Sequence, residues 1–298
     1  MTHTAYSPTE GSGAAPPLPR PSLGFRLYRS LAEAPLTGQI SLLIILFYLF
    51  VIVLAPWLAP YGEATVVGGA FEPWGSSYLL GTDSLGRDIF SRLIYGARNT
   101  VGMTFLITVL TFVLGSSVGI VAAVLGGWVD QILSRVVDIL MSIPLLIFAL
   151  LLLMIFGSSI PAMILIVSFL ESTRVFRLAR AVSMNVVVMD YVEAARLRGE
   201  GLLWIVRREV LPNILAPLFA EFGLRFCFIF LLVSSLSFLG LGLQPPTADW
   251  GAMVRENAML ITFGKFTPLL PAAAIAVLTI SVNLVVDWFL NKASGLSK

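Results

Sequence analysis

Residues 190–213 read DYVEAARLRGEGLLWIVRREVLPN and contrast sharply with the rest of the chain. The 298-residue protein is 57% hydrophobic and 12% charged. This short stretch nevertheless holds the charged residues Asp190, Glu193, Arg196, Arg198, Glu200, Arg207, Arg208 and Glu209. A mean hydropathy of +0.92, with uncharged apolar runs longer than about 18 residues, predicts a polytopic helical membrane protein. The charged stretch is therefore predicted to lie between membrane spans.

Apolar runs predict an all-α fold with six transmembrane helices. They cover about residues 39–59, 99–125, 134–156, 160–180, 213–239 and 267–290. The proline-rich N-terminal region, residues 1–38, is predicted to be a disordered tail followed by a short interfacial helix. Residues 291–298 form a C-terminal tail. The body at 39–290 therefore holds every span, and an even number of spans puts both termini on one side.

The lysines and arginines orient these spans, because positive residues are retained on the cytoplasmic side. With a cytoplasmic N-terminus, the inner set is Arg20, Arg26, Arg29, Arg135, Arg174, Arg177, Arg180, Arg196, Arg198, Arg207, Arg208, Lys292 and Lys298. The outer set is smaller: Arg87, Arg92, Arg98, Arg255 and Lys265. This bias predicts that both termini and residues 190–213 face the cytoplasm.

Composition excludes several classes of enzyme. The single cysteine, Cys227, cannot build a disulfide framework or a cysteine metal cluster. The single histidine, His3, lies in the tail, so the body has no histidine for a serine-protease or zinc site. The Gly264–Lys265 pair lacks the upstream glycine of a P-loop. We therefore expect no catalytic, cofactor or metal site, and no ATP hydrolysis by this chain alone.

Local signals predict a short helix at the start of the charged stretch. Asp190 and Glu193 have the spacing of a capping box, with Asp190 as N-cap. Gly199 suits a left-handed helix stop. A second apolar piece is predicted to end before Pro212, which would occupy the first turn of the fifth span. These signals predict a helix across the membrane face, bounded by two stops.

The small residues Ala194 and Ala195 are predicted to keep one side of this helix thin. Another protein could then approach its backbone closely. The alternative is a solvated amphipathic loop without a partner.

Three separated stretches resemble one family. Glu193–Ala195, followed by Gly199 and then Leu211–Pro212, resembles the EAA signature of ABC importer inner-membrane permeases. LLGTDSLGRDIFSRLIYGAR at 79–98 and SFLGLGLQPPTADWGAMV at 237–254 resemble the C-type permeases of dipeptide, oligopeptide and nickel importers. The resemblance covers essentially residues 39–290. One departure is Glu209, where the generic pattern has an aliphatic residue.

The resemblance implies a type I permease fold and a coupling loop over residues 182–212. The residues it assigns to ATPase coupling are Asp190, Glu193, Ala194, Ala195, Arg198, Gly199 and Pro212. It implies a homologous B-type permease, two ATP-binding subunits that bind ATP and magnesium, and an extracytoplasmic substrate-binding protein. The complex would lie in a bacterial inner membrane and transport a peptide, a nickel chelate or another small solute.

The outer-loop motif has two interpretations. Its residues are Gly81, Asp83, Gly86, Arg87 and Asp88. They could form a self-satisfied turn network that anchors the loop, or they could contact a partner permease or the binding protein. The sequence QPPTADW predicts a rigid outer turn, with Trp250 as an anchor at the membrane interface.

Charged residues inside predicted spans raise an alternative function, a proton- or ion-coupled secondary carrier. The candidates are Asp138, Glu171, Glu221, Arg225 and Asp287. Asp138 and Asp287 lie near cytoplasmic ends, where water can reach them. Glu221 and Arg225 have the i,i+4 spacing of a neutralising pair, and Glu171 has Arg174 one turn away. Glu171, Glu221 and Arg225 are also candidates for lining a channel.

Overall fold

The computed structural model describes residues 34–293, and this part of the chain is helical. The helices are α1 Leu36–Leu58, α2 Ile89–Gly96, α3 Gly102–Leu125, α4 Gly127–Met141, α5 Leu145–Phe156, α6 Ile160–Val187, α7 Asp190–Leu197, α8 Leu202–Ile205, α9 Leu211–Phe238, α10 Trp250–Asn257 and α11 Leu269–Ala293. π-helical turns at Ala97–Val101 and Val206–Val210 join α2 to α3 and α8 to α9. A 3-10 turn at Ala258–Phe263 follows α10. Residues 34–293 contain two isolated bridges and no strand, so the predicted all-α class is confirmed.

Four helical stretches are long and apolar enough to cross a membrane: Leu36–Leu58, Ile89–Leu125, Leu202–Phe238 and Leu269–Lys292. A fifth is present if the bent pair α4 and α5 counts as one span. The helix α6 has 28 residues, but its charged side chains exclude it from this group. The six-span topology therefore stays a prediction.

Several span boundaries differ from those predicted. The first span begins at Leu36, and the second begins with α2 at Ile89, where Asp88 caps the helix. The fourth extends to Val187. The predicted tail and interfacial helix before residue 34, and the last five residues, lie outside the described residues.

The predicted third span at 134–156 is not one straight helix, because α4 and α5 meet at a bend of 88°; whether the pair forms one span stays a prediction. Pro144 causes the break: proline lacks the N–H of a helical hydrogen bond, and it disfavours helical backbone at the preceding Ile143. At the end of α4, the Ile139 oxygen accepts from both the N–H and the hydroxyl of Ser142, at 3.2 and 2.7 Å.

The helices α3 and α6 pack closely along a stripe of small residues. A Cβ atom at Gly115 would lie 2.5 Å from the Ser172 carbonyl oxygen, and one at Gly119 would lie 2.7 Å from that of Phe176. The Ser168 hydroxyl donates across the same interface to the Ile107 oxygen at 3.2 Å. Glycines four residues apart let two backbones approach, which is how helices associate where no hydrophobic force drives them together.

Candidate functional site

The helix α7 follows α6 after a two-residue turn and carries the predicted coupling residues. Its N-cap is Met189, which is extended and makes no side-chain cap. The predicted capping box is therefore wrong. Asp190 is already helical, because the N–H groups of Val192 and Glu193 donate to the Met189 oxygen at 2.9 and 3.3 Å. Asp190 and Glu193 instead place negative charge in the first turn, where the helix dipole favours it.

Gly199 terminates α7 in the left-handed conformation, with φ of +80°. The Gly199 N–H donates to the Arg196 oxygen at 2.9 Å, and the Glu200 N–H donates to the Ala195 oxygen at 3.2 Å. This pair of bonds is the Schellman arrangement. The conformation predicted for Gly199 is confirmed. A Cβ atom at Gly199 would have nothing within 4 Å, so the backbone angle is the constraint there.

One face of α7 is anchored to this chain. Val192 and Ala195 have exposed fractions of 0% and pack in a cluster with Ile205 and Val210. The prediction that Ala194 and Ala195 both form a thin partner-facing side is wrong for Ala195. Ala195 faces inward, because it lies three residues from Val192 on the same face. Ala194 is exposed beside Glu193.

The opposite surface of this region exposes apolar side chains. We call it the coupling surface, and it comprises Val188, Tyr191, Glu193, Ala194, Leu197, Arg198 and Leu203, all exposed. Leu197 is 83% exposed. The Arg198 guanidinium lies over the Trp204 ring, 5.7 Å from its centroid.

Arg196 connects α7 to α3, a contact that sequence reasoning missed. Its Nη2 donates to the Val124 oxygen at 3.0 Å. Val124 lies in the last turn of α3, where a cation satisfies free carbonyl groups. Two elements far apart in sequence form this bond, so no local pattern indicates it.

The sequence predicted that the second helical piece would end before Pro212, but the helix does not end there. The backbone runs from α8 through the π-helical turn Val206–Val210 into α9, and Leu202–Phe238 forms one stretch of 37 residues. Pro212 lies in the first turn of α9. Its missing N–H removes one helical bond, and the wide turn just before it accommodates the ring.

The outer-loop motif is held by buried hydrogen bonds. The Asp83 carboxylate accepts from the N–H groups of Leu85 and Arg87, both at 2.9 Å, and pairs with Arg87 Nε at 2.7 Å. Asp88 caps α2 by accepting from the Ser91 N–H at 2.8 Å. Gly86 has φ of +74°, and a Cβ atom there would lie 2.1 Å from the Gly68 oxygen. Gly81 has a positive φ as well. The loop therefore supports itself, and its contact with a partner stays a prediction.

Arg92 and Glu256 complete this network and were missed. Arg92 Nε lies 3.4 Å from Asp83 Oδ2, and the Glu256 carboxylate lies 3.4 Å from Arg92 and 3.3 Å from Arg87. Arg92 also donates to the Glu63 oxygen at 3.1 Å. Glu256 is remote in sequence, so the sequence alone gave no reason to pair it with these arginines.

Trp250 is buried, and the prediction that it anchors the chain at the membrane interface is wrong. It is 1% exposed and donates from Nε1 to the Leu93 oxygen at 2.9 Å. The neighbouring Asp249 caps α10, accepting from the Ala252 N–H at 2.9 Å and from the Thr100 hydroxyl at 3.1 Å. Burial raises the pKa of the Asp249 carboxyl above its ordinary value. The outer segment is thus tied to α2 and to the turn that follows it.

Glu171, Arg225 and Glu221 form what we call the acid–arginine triad. Arg225 Nε and Nη2 both donate to Glu221 Oε1, at 2.7 and 2.5 Å. Arg225 Nη1 donates to Glu171 Oε2 at 3.4 Å. The predicted Glu221–Arg225 pair therefore forms. Glu171 is paired across helices with Arg225, and its predicted pairing with the exposed Arg174 is wrong.

The other two charged candidates lie apart from the triad. Asp138 pairs with Arg177 at 3.4 Å in an exposed ion pair, and Asp287 is exposed on α11. A further pair was missed: Arg180 Nη2 donates to Asp130 Oδ2 at 2.5 Å, joining α6 to α4. Among residues 34–293, no group of three or more His, Cys, Asp or Glu side chains could hold a metal ion.

Comparisons with known proteins agree with the helical architecture. The family described as "Binding-protein-dependent transport system inner membrane component" matches residues 115–292. The dipeptide transport system permease protein DppC of Escherichia coli K12 is 36% identical over 255 residues, covering 83% of this chain and 85% of that protein. The Haemophilus influenzae protein of the same name is 33% identical over 255 residues, covering 83% and 86%.

A solved structure shares the fold. It is described as an amino acid ABC transporter with histidines, with a TM-score of 0.50 and 20% identity. The match covers 68% of this chain and 94% of that one. On the family match and the relatives together, the chain belongs to the inner-membrane permease components of binding-protein-dependent ABC transport systems.

Proposed function

We propose that this chain is a permease subunit of an ABC importer for peptides, that it forms half of the translocation channel, and that α7 receives ATP-driven motion from a partner. Permeases for dipeptides among its relatives support the substrate class. The observation that carries the coupling role is the coupling surface. A short helix anchored through Val192 and Ala195 exposes apolar side chains that no described part of the chain covers. Exposed apolar patches of this kind mark protein interfaces.

The assembly comprises a homologous B-type permease, two ATP-binding subunits and an extracytoplasmic binding protein. ATP and magnesium are bound by the ATP-binding subunits, since this sequence has no P-loop. The chain crosses a bacterial inner membrane six times with both termini in the cytoplasm. The distribution of lysine and arginine supports this orientation.

Leu197 offers the sharpest test of the coupling surface. Leu197→Glu places a charge in the proposed interface without disturbing the buried face of α7. We expect normal amounts of the chain in membranes, strong loss of co-purified ATP-binding subunits, and loss of peptide uptake. Leu85→Glu is the matched control for co-purification of the ATP-binding subunits, which it should leave unchanged, because Leu85 is an exposed leucine of the outer loop, remote from α7. Wild-type co-purification and uptake in Leu197→Glu would contradict the proposed coupling role.

A further inference from the structure

A cavity of about 290 Å³ lies between α4 and α6, apart from the triad and the coupling surface. Its polar lining residues are Ser134 and Asp138 of α4, and Arg177 and Arg180 of α6. Ser134 Oγ is buried and has no hydrogen-bond partner in the described part of the chain. Because a buried hydroxyl group without a partner is costly, the cavity holds a polar group for which residues 34–293 supply no partner.

The two arginines of the cavity keep donors for a ligand. Arg180 binds the Asp130 carboxylate with Nε and Nη2, and its Nη1 makes no hydrogen bond within residues 34–293. Arg177 has two weak contacts, with Asp138 at 3.4 Å and with the Met141 sulfur at 3.7 Å. The side chains of Arg177 and Asp138 are both 59% exposed, and exposed ion pairs contribute little to stability. Arg177 can therefore turn from Asp138 to an anion at small cost.

The helical segments that form the cavity carry an excess of positive charge. Residues 130–138 and 174–181 together hold four arginines and two aspartates, which gives a net charge of +2. The excess comes from Arg135 and Arg174, which are exposed and form no ion pair with any of residues 34–293. This charge favours an anionic ligand over a cationic or zwitterionic one.

The cavity lies at the depth of a layer of lipid headgroups. In the six-span topology proposed above, α6 crosses the membrane from Ile160 towards α7. Arg180 lies about 20 residues beyond Ile160, which is about 30 Å at 1.5 Å per residue. This length equals the thickness of a bilayer's hydrocarbon layer. Arg177 and Arg180 therefore reach the membrane surface on the side of α7.

The helix α4 has the form of a helix that lies within this surface layer. It meets α5 at 88°, so it runs close to the membrane plane when α5 follows the membrane normal. Its face away from α6 exposes Trp128, Ile132, Val136 and Ile139, which recur at helical spacings. An exposed apolar face with a tryptophan, opposite a charged face, is typical of an interfacial helix. Acyl chains can therefore lie along α4 while a headgroup enters the cavity.

We propose that the cavity between α4 and α6 binds the phosphate group of an anionic phospholipid, in the leaflet on the side of α7. Arg177, Arg180 and Ser134 donate to the phosphate oxygens, and the acyl chains lie along the exposed apolar face of α4. The choice of leaflet rests on the proposed function. The bound phosphate satisfies the Ser134 hydroxyl and offsets the positive charge, as headgroups do in basic pockets between membrane helices. A zwitterionic lipid would instead add an ammonium group to a positive surface.

Native mass spectrometry of the permease complex, purified with its ATP-binding subunits and stripped of lipid in detergent, tests the site. The probes are palmitoyl-oleoyl phosphatidylglycerol and the phosphatidylcholine with the same acyl chains. We expect tight binding of phosphatidylglycerol and weak binding of phosphatidylcholine. At one site, Arg177→Gln should weaken phosphatidylglycerol binding about tenfold, the effect of losing a charged hydrogen bond, and Ser134→Ala about fivefold. Arg208→Gln, which changes an exposed arginine outside the cavity, should leave binding unchanged.

Equal binding of the two lipids, or unchanged binding in both Arg177→Gln and Ser134→Ala, would overturn the proposal. Displacement of phosphatidylglycerol by an equal concentration of inorganic phosphate would also overturn it and assign the cavity to free phosphate. Ser134→Ala carries the test if Arg177→Gln gives no folded complex, because it removes only an unpartnered hydroxyl group.

Two further outcomes separate this inference from the proposed function. If the wild-type complex binds no phosphatidylglycerol and Arg177→Gln loses the co-purified homologous permease, a protein covers α4 and the lipid site is refuted. A complex that assembles with its ATP-binding subunits but lacks the lipid site refutes this inference alone. A chain that never assembles with ATP-binding subunits refutes the proposed function.

Discussion

Gly199 ends α7 with a left-handed backbone, at φ of +80°, and a Cβ atom there would contact nothing within 4 Å. The effect of a substitution at Gly199 should therefore come from the backbone conformation and not from packing. Gly199→Val should cost roughly 1–2 kcal/mol, since the left-handed conformation brings Cβ close to the following oxygen. Gly199→Asn should cost less, because asparagine tolerates this conformation. Thermal unfolding of the purified complex, with peptide uptake alongside it, measures both. Equal losses from valine and asparagine would mean that backbone conformation is not the constraint.

For single residues, the sequence predicts a backbone conformation that depends on the residue type alone. It fails where the conformation or burial of a residue depends on the residues around it. A glycine after a short polar helix indicates a left-handed stop, and Gly199 has that conformation. The role of Asp190 as N-cap depended on where the preceding turn ended. The extended residue is Met189, with ψ of 144°. Met189 is therefore the N-cap, and Asp190 is the first residue of the helix. Ala195 likewise faces inward only because Val192 is its neighbour on the helix face.

Between elements, the glycine stripe sets the distance from α3 to α6. Gly115→Ala puts a methyl group within 2.5 Å of the Ser172 oxygen, so the helices must separate and the folded yield and thermal stability should fall. Gly102→Ala is the matched control in the same helix, because a Cβ atom there meets nothing within 4 Å. It should be neutral or stabilise by up to about 1 kcal/mol. The contact between α3 and α6 would be unimportant if both variants unfolded at the same temperature.

Because the triad joins three charged side chains, it predicts a different order of folded yields among glutamine variants than a simple ion pair would. Arg225→Gln leaves two unpaired carboxylates, so it should lower the yield of monodisperse complex more than Glu221→Gln does. Adding Glu221→Gln to Arg225→Gln should restore only part of the yield, since Glu171 remains unpaired. The triple glutamine variant should restore more. Full rescue in the double variant would show that Glu171 is not coupled to Arg225.

Apolar runs predict most of the helical elements because membrane helices must be apolar and long. They did not predict the bend at Pro144 or the extension of α6 beyond residue 180 to Val187. A run of apolar residues interrupted by one proline has the same hydropathy whether the chain bends or continues. The i,i+4 spacing predicted the Glu221–Arg225 pair, but the third member, Glu171, comes from another helix. Such a contact depends on packing, which one sequence does not display.

For the molecule as a whole, the charge distribution predicts which loops face outward. Cys227 is buried, so the natural chain should react little with an impermeant thiol reagent. In intact spheroplasts, Lys265→Cys should be labelled and Arg208→Cys should not. Both residues are exposed on the described surface. Arg208→Cys should be labelled after permeabilisation, and its labelling before permeabilisation would reverse the orientation.

The uninterrupted helical stretch Leu202–Phe238 has a mechanical consequence. Its 37 residues measure about 56 Å at 1.5 Å per residue, nearly twice the roughly 30 Å of a bilayer's hydrocarbon layer. A rod of this length works as a lever: a tilt of about 5° about its midpoint displaces each end by roughly 2 Å. The π-helical turn, Pro212 just after it, and Pro217 are the places where it can bend. A push at the end beside α7 would therefore reach the other end of this helical stretch as a movement in the opposite direction, with no separate element needed to carry it.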